Sequence, residues 1–513
     1  MPGHRLDRHE SRSSKGFLRV SFGPPPSMYT QSALTADGIQ KKRRRKLFGG
    51  AAVLLIGALC VGSWLRWHGH DDSAGAAGKP AAPSKQGPLD IRETVENRPA
   101  NIAGRMAFRF SADDMQAGES HALPGMWATD KILAKGINRT LAGFKIGTDA
   151  TTGDESWRIR LAGPICGTTR HVTVGDRTAV LFRSGVDTHA PCDHVAFVDL
   201  DTGKKLWEAR FSKVNALYDT PSVTMTRATV VVAWGKGSQA YDMDQGKLLW
   251  TSTPTPKCKD GGLAGGRALL IRTDCFDEKS LAESYRVRNV DPRTGKVKWT
   301  YQVAEGVQSV YLVSAEPAVL GVAAGDVEIT DLISLDEHGK YRATIRVEGG
   351  HYVADCVDGE EDGAVDNCPT IVVGDGQVFL TSREDPDGTI VNNSNWIIGF
   401  DLATGKTVKK FESGHDQLLY PLRMSGDQLL ALRESSDHIT PMGLVSLNPR
   451  TGKETPYLYF DLPSEAWTLT APTLNDIIVQ NGRIFFGTKQ ASGPSNDKKK
   501  VWEWLVLGVG SAG

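Results

Sequence analysis

The densest group of side chains that could bind a metal lies in residues 355–368, Asp-Cys-Val-Asp-Gly-Glu-Glu-Asp-Gly-Ala-Val-Asp-Asn-Cys. Carboxylate oxygens suit Ca²⁺, which takes about six to eight oxygen ligands. The spacing matches no calcium-loop pattern, so the competing interpretation is a solvated acidic loop closed by its two cysteines. The weak calcium candidates are Asp358, Glu360, Asp362 and Asp366.

A second group could support metal binding or nucleophilic chemistry, because His189 and His194 flank Cys192. The alternative is a pair of loop histidines beside a disulfide. The sequence has no Gly-x-Ser-x-Gly elbow, no His-Glu-x-x-His helix and no phosphate-binding loop. Ser495 and Lys498 fit Ser-x-x-Lys, but its partner motifs are absent. No catalytic residue is therefore predicted.

These residues must be positioned by a repeat whose clearest copy is residues 199–207, Asp-Leu-Asp-Thr-Gly-Lys-Lys-Leu-Trp. Each copy follows an alternating apolar run, which predicts a strand, and its glycine permits the positive φ of a tight turn. A tryptophan in the next strand can be buried only against a neighbouring copy. The repeat residues are Gly153, Trp157, Gly203, Trp207, Gly246, Trp250, Gly295, Trp299, Gly339, Gly405 and Gly452.

The period of roughly 40–50 residues and about four strands per unit predict an all-β propeller. Seven glycine turns indicate seven blades, and residues 477–486 and 501–507 begin another. Phe108 follows Gly104 with the spacing of Trp207 after Gly203. We therefore expect an N-terminal strand to complete the last blade and give eight, with seven as the alternative, because closure removes sheet edges.

Residues 199–207 and 291–299 resemble the tryptophan-docking repeat of the quinoprotein dehydrogenase propellers, also called the pyrroloquinoline-quinone-like (PQQ-like) repeat. The resemblance extends over residues 101–513 and implies the fold rather than one activity, since scaffold propellers share the repeat. The dehydrogenases hold the quinone over a vicinal cysteine disulfide with Ca²⁺. This chain has no adjacent cysteines, so no cofactor is expected, although the quinone and Ca²⁺ stay possible.

The N-terminal region predicts a membrane anchor. Residues 1–46 form a polar, basic tail that we expect to be disordered and cytoplasmic. The uncharged apolar stretch within residues 47–66 is long enough to span a bilayer, and the Lys/Arg run at 41–46 precedes it. A cleaved signal peptide is the alternative. Residues 67–100, rich in Ala, Gly and Pro, predict a linker to a propeller at 101–513.

The number and positions of the cysteines indicate the redox state of the compartment in which the propeller lies. Cys60 lies in the apolar stretch, and six more lie beyond it. Local pairing within single blades is favoured, and disulfides suit an oxidising compartment. A zinc site is the competing interpretation, but no Cys-x-x-Cys occurs. The disulfide candidates are Cys166 with Cys192, Cys258 with Cys275, and Cys356 with Cys368.

These features predict a single-pass membrane protein that displays a propeller outside the cytoplasm and binds protein or cell-envelope partners. Lys and Arg together number 60, as do Asp and Glu, and the basic run directly precedes an apolar stretch. Nucleic acid is therefore not an expected partner. The alternatives are a membrane-bound quinoprotein dehydrogenase and a ligand sensor that signals through the basic tail.

Overall fold

The computed structural model shows a closed ring of eight β-sheets, which we number as blades 1 to 8 in chain order. It describes residues 86–111, 120–147, 152–187, 189–211, 221–325, 328–347, 351–356, 368–383, 394–436, 439–493 and 504–512. The predicted tail and membrane span lie outside these residues. None of the helices in the described part of the chain has the length and apolar character needed to cross a bilayer.

Each blade is an antiparallel sheet of four strand positions, and in blades 1 to 7 the strands follow one another in space as in sequence. The strands of blades 1 and 2 are Met126–Ala128, Ile132–Ile137, Thr140–Lys145, Glu155–Arg160, Ile165–Thr168, Arg177–Arg183, Cys192–Asp199 and Lys205–Arg210. Those of blades 3 and 4 are Ser222–Thr226, Thr229–Ala233, Ser238–Asp242, Leu248–Ser252, Cys258–Ala264, Leu270–Asp277, Ala282–Val290 and Val297–Gln302.

Blade 6 differs because its first strand is interrupted, and both pieces pair with the same second strand. The strands of blades 5 and 6 are Val307–Ala315, Ala318–Ala324, Asp331–Leu335, Tyr341–Arg346, Tyr352–Val353, Ile371–Gly374, Gln377–Ser382, Trp396–Asp401 and Thr407–Glu412. Those of blade 7 are Gln417–Ser425, Gln428–Ser435, Met442–Leu447 and Glu454–Phe460.

Blade 8 is built from both ends of the ring, which confirms the predicted closure and eight blades rather than seven. It contains Asn475–Gln480, Arg483–Thr488 and Trp504–Ser511, and its outermost strand is Gly104–Ser111. That last strand pairs antiparallel with Trp504–Ser511. Phe108 is buried there and meets the ring of Phe144 in blade 1 edge-on at 6.0 Å. Closure leaves no open end in the ring.

Two elements lie outside the blades. Ser120–Ala122 and Gln490–Ser492 form a two-stranded sheet, and Ser464–Thr470 is a 3₁₀ helix between blades 7 and 8. Where blade 8 meets blade 1, the fully buried Lys135 ammonium lies 3.0 Å from the carboxylate of Asp476. This ion pair joins the last blade to the first.

The hydrophobic core lies between neighbouring blades. Leu181 and Phe197 of blade 2, for example, pack with Val223 and Val232 of blade 3. Each pleated sheet thus buries its two faces against two neighbours, which is why a single repeat cannot be stable alone. The topology gives the ring two faces. The turn face carries the hairpins after the first and third strands of each blade, and the loop face carries the remaining connections.

Candidate functional site

The repeat tryptophans dock on the turn of the following blade. Trp157, Trp207 and Trp250 each donate an indole N–H to a backbone carbonyl there, at Leu200 (2.9 Å), Met243 (2.9 Å) and Pro292 (2.8 Å). Each ring also covers a repeat glycine so closely that a Cβ on Gly203, Gly246 or Gly295 would lie within 3.0 Å of it. Trp299 covers Gly339 in the same way. These contacts join each of blades 1 to 4 to the blade that follows it.

The glycine turns have the predicted backbone. Gly153, Gly203, Gly246, Gly295, Gly339, Gly405 and Gly452 all have positive φ, between 67° and 92°. The side chain at the start of the motif caps the turn, as when Asp401 Oδ1 accepts the N–H of Thr404 at 2.8 Å. Later copies lack the tryptophan: Ala343 approaches Gly405, and Lys409 approaches Gly452. The turn therefore persists where the aromatic contact is lost.

Three disulfides join the predicted local pairs. Cys166 is bonded to Cys192 in blade 2, Cys258 to Cys275 in blade 4, and Cys356 to Cys368 in blade 6. At the loop face, the first joins the first and third strands of blade 2, and the second joins the neighbouring first and second strands of blade 4. The third closes the base of the loop that interrupts the first strand of blade 6. Blades 2, 4 and 6 are thus each cross-linked covalently.

The two histidines beside Cys192 lie apart from each other. His189 is exposed and lies beside Asp187, with Nδ1 3.3 Å from Oδ1. His194 Nδ1 lies 2.7 Å from Oδ1 of the buried Asp193, and its ring packs on Phe182 at 5.2 Å. Cys192 itself is in a disulfide, so it offers no thiolate to a metal or an electrophile.

The four calcium candidates, Asp358, Glu360, Asp362 and Asp366, lie outside the described residues. At the base of their loop, burial raises the pKa of Asp355, Glu328 raises it further and Arg383 opposes the shift. Among the residues described, no three His, Cys, Asp or Glu side chains are grouped closely enough to hold a metal ion. The docking tryptophans also do not fit a quinone floor, because their rings already cover the turns of the next blade.

A segment whose position the sequence does not indicate crosses the turn face. Residues 87–99, which we call the strap, run from blades 2 and 3 to blades 7 and 8. Near its start, the N–H of Ala228 in blade 3 donates to Leu89 O at 3.2 Å. Near its end, Arg98 Nε donates to Pro456 O in blade 7 at 2.9 Å. Because blades 3 and 7 are opposite in a ring of eight, the strap crosses the mouth of the central channel.

One side chain pins the strap. The carboxylate of Glu96 accepts hydrogen bonds from Arg423 Nη2 (2.6 Å) and from the N–H groups of Asn481 (3.0 Å) and Gly482 (2.7 Å). Its own N–H donates to Ser425 Oγ at 2.8 Å. Burial lowers the pKa of Arg423, and the charge of Glu96 opposes that shift. The Glu96 carboxylate therefore ties the strap to both blade 7 and blade 8.

Behind the strap, the channel contains a cavity of about 750 Å³. Strap residues 91–95 form part of its wall, together with the first strands of several blades. Its apolar wall includes Met126, Val313 and Leu422. Three charged lining residues are already paired: Arg92 with Asp176, Arg267 with Glu93, and Asp476 with Lys135. The strap thus covers one end of a cavity of small-molecule size.

The predicted linker spans residues 67–100, but its last part, residues 86–100, lies on the ring and is not a free linker. The sequence signal was weak: 86–100 contains Gly, Pro and charged residues that are typical of linkers. The residues that bind it, such as Arg423 and Asn481, are more than 300 positions away. Asp90, Glu93 and Glu96 recur at every third position, and nothing in the sequence distinguishes Glu96 from the other two.

The ring and its docked tryptophans define a tryptophan-docked β-propeller. A family model described as outer membrane protein assembly factor BamB matches residues 145–329. The repeats within this range are thus similar to the PQQ-like propeller repeat. No curated protein matches the chain.

Solved structures share the architecture at a distance. BamB from Moraxella catarrhalis is 12% identical, with a TM-score of 0.40, over 80% of this chain and 98% of that one. Quinohemoprotein alcohol dehydrogenase ADHIIG from Pseudomonas putida HK5 is 12% identical, with a TM-score of 0.45, over 83% and 80%. A europium-containing methanol dehydrogenase is 11% identical, with a TM-score of 0.45, over 81% and 95%. Likenesses this distant carry no functional argument.

Proposed function

We propose that this protein is a membrane-anchored scaffold whose propeller binds protein or cell-envelope partners outside the cytoplasm. The apolar stretch within residues 47–66 would span the membrane, with the basic residues 41–46 on the cytoplasmic side. Three disulfides in the ring support an oxidising compartment. The family model that matches residues 145–329 is described as an outer membrane protein assembly factor, which supports a protein partner.

The strap is the observation that carries this proposal. The chain that follows the predicted span reaches the ring at the turn face and is fastened across it, so the loop face is left for a partner. Val186 and Leu281 on the loop face are 65% and 75% exposed. Each lies near a disulfide, and a rigid loop loses little conformational entropy on binding. The loop face is therefore the docking face.

Site-specific photo-crosslinking in the native host tests this proposal. A photoreactive amino acid replaces Val186 or Leu281 in the full-length protein, and Val95 of the strap, 61% exposed, is the matched control position. We expect discrete adducts with envelope proteins from the two loop-face positions and none from Val95. Adducts from Val95 alone, or none from any position, would overturn the proposal.

The dehydrogenase alternative is tested on the purified full-length protein. Titration with pyrroloquinoline quinone and Ca²⁺ is followed by absorbance, and alcohols and sugars are then offered with an electron-accepting dye. Stoichiometric quinone uptake with turnover would replace the scaffold function with an oxidoreductase. We expect neither, because the sequence has no adjacent cysteines and the repeat tryptophans Trp157, Trp207 and Trp250 already dock on the next blade.

A further inference from the structure

The strap has two unequal halves. Within residues 86–100 only Glu96 is buried; every other residue is partly or fully exposed. Its downstream half is held by Glu96 and continues into the outermost strand of blade 8, Gly104–Ser111. Its upstream half, residues 87–94, has no buried residue. Segments with few buried contacts open most readily in a folded protein.

Some polar side-chain contacts of the upstream half are open to solvent. The carboxylate of Glu93 pairs with Arg267 at 2.5 Å, but the two side chains are 45% and 60% exposed. Exposed pairs contribute little stability and weaken with salt. Thr94, at the end of this half next to Glu96, is held more firmly: Oγ1 donates to Gln480 Oε1 at 3.1 Å, and its carbonyl accepts from Arg423 Nη1 at 2.7 Å.

The contacts with blades 2 and 3 are backbone hydrogen bonds together with Leu89 and Ile91, whose half-buried side chains pack against the core between these blades. Arg92 N–H donates to Val172 O, and Val174 N–H donates to Asp90 O, each at 2.8 Å. Arg92 also pairs with Asp176. Burial lowers the pKa of Arg92 and raises the pKa of Asp176, so desolvation offsets part of their attraction.

We propose that residues 87–94 form a releasable latch over the channel mouth, while Glu96 stays fixed as its hinge. Release uncovers the cavity at the turn face, because residues 91–94 are part of its wall. The chain leading to the predicted membrane span joins the latch at its upstream end, so tension in that chain would peel the latch away from blade 2 first. This device does not depend on what the ring binds.

A thiol placed in the cavity reports its opening. Ser314 lines the cavity, and Ser314→Cys is nearly isosteric. The full-length protein carries this change together with Cys60→Ala, because the other six cysteines are in disulfides. The rate of modification by a charged, membrane-impermeant thiol reagent is compared between the intact latch and Arg267→Ala, which removes the partner of Glu93.

The matched control is Lys298→Ala, which breaks an exposed ion pair with Asp291 at the turn-face end of the outermost strand of blade 4, away from the strap. We expect Arg267→Ala to raise the modification rate about two- to fivefold and Lys298→Ala to leave it unchanged. Raising the salt concentration should speed modification of the intact latch. Equal rates in all variants would overturn the latch, because the reagent would then reach the cavity by another path.

Hydrogen exchange gives a second test that does not depend on reagent access. We expect the amides of Arg92 and Val174, which join the latch to blade 2, to exchange at least about tenfold faster than the amide of Glu96. Uniform protection along residues 87–99 would contradict a hinge at Glu96. Loss of protection in strand Gly104–Ser111 as well would show that the strap opens as a whole, which also contradicts it.

Discussion

The carboxylate of Glu96 lies 2.6 Å from Nη2 of Arg423, although the two residues are 327 positions apart in the sequence. The Glu96 side chain is 1% exposed and that of Arg423 29%. This pair ties the segment that enters the ring to the seventh of eight blades. It therefore fastens the strap independently of the strand that closes blade 8.

Removing this carboxylate should destabilise the protein strongly. Glu96→Ala removes the carboxylate that pairs with Arg423 and leaves the N–H groups of Asn481 and Gly482 without their acceptor. Such losses cost about 3–5 kcal/mol. Arg293→Ala breaks a more exposed pair and should cost about 1 kcal/mol or less. Denaturant unfolding of the two variants provides the comparison. Similar small losses would mean that Glu96 is not the fixed point of the strap.

Two glycine substitutions can separate the energy of the contact between tryptophan and glycine from the energy of backbone strain. Gly246 and Gly376 have φ of 67° and 72°, so alanine is strained at both, by about 1–2 kcal/mol. Only at Gly246 would the new Cβ meet a ring, 2.7 Å from Trp207 Cγ, whereas at Gly376 nothing lies within 4 Å. Gly246→Ala should therefore cost about 1–3 kcal/mol more than Gly376→Ala. Equal free energies of unfolding would argue against tight docking.

The tryptophan of a repeat motif should contribute more to stability than its lysine. Trp299→Ala removes an aromatic side chain from the core between blades 4 and 5 and should cost about 3–5 kcal/mol. Lys296→Ala changes an exposed tip and should stay within about 0.5 kcal/mol. Thermal and denaturant unfolding measure both, and equal effects would mean that the motif has been misinterpreted.

The turn aspartates should make stability depend on pH. The hydrogen bond from Thr404 is the main cause that holds the pKa of Asp401 below its usual value. Its charged form therefore stabilises the protein above the unfolded pKa of about 3.9, and this contribution is lost as pH falls through the lower folded value.

Asp401→Asn tests that dependence with a natural precedent. Asn448 caps the equivalent turn in blade 7, where its Oδ1 accepts the N–H of Thr451 at 2.8 Å. The variant should be slightly less stable than the parent at pH 7, and the difference in Tm should shrink as pH falls to about 3. A difference that stays constant between these pH values would show that the Asp401 charge does not contribute.

Much of the fold could be predicted because its determinants are local. The positive φ at Gly203, the cap by Asp199 and the docking of Trp207 all depend on residues within a single repeat or its neighbour. Blade closure was predictable from Phe108 for the same reason: it follows Gly104 with the spacing of the motif. The disulfides also join residues that are near in sequence.

The strap could not be predicted because its contacts are non-local. Nothing near Glu96 in the sequence indicates that Arg423 and the turn at Asn481 will surround it. The interruption in the first strand of blade 6 was missed similarly, since Tyr352–Val353 and Ile371–Gly374 are recognisable as one strand position only through their common partner, Gln377–Ser382. Such features depend on the closed ring rather than on the repeat.

The redox state of the ring cysteines in living cells tests the display of the ring outside the cytoplasm most directly. Full-length protein with Cys60→Ala is denatured directly from cells and treated with a maleimide that carries a mass tag. We predict no adduct before reduction and six after it, because all six remaining cysteines are in disulfides. Six adducts without reduction would place the ring in a reducing compartment and contradict the account.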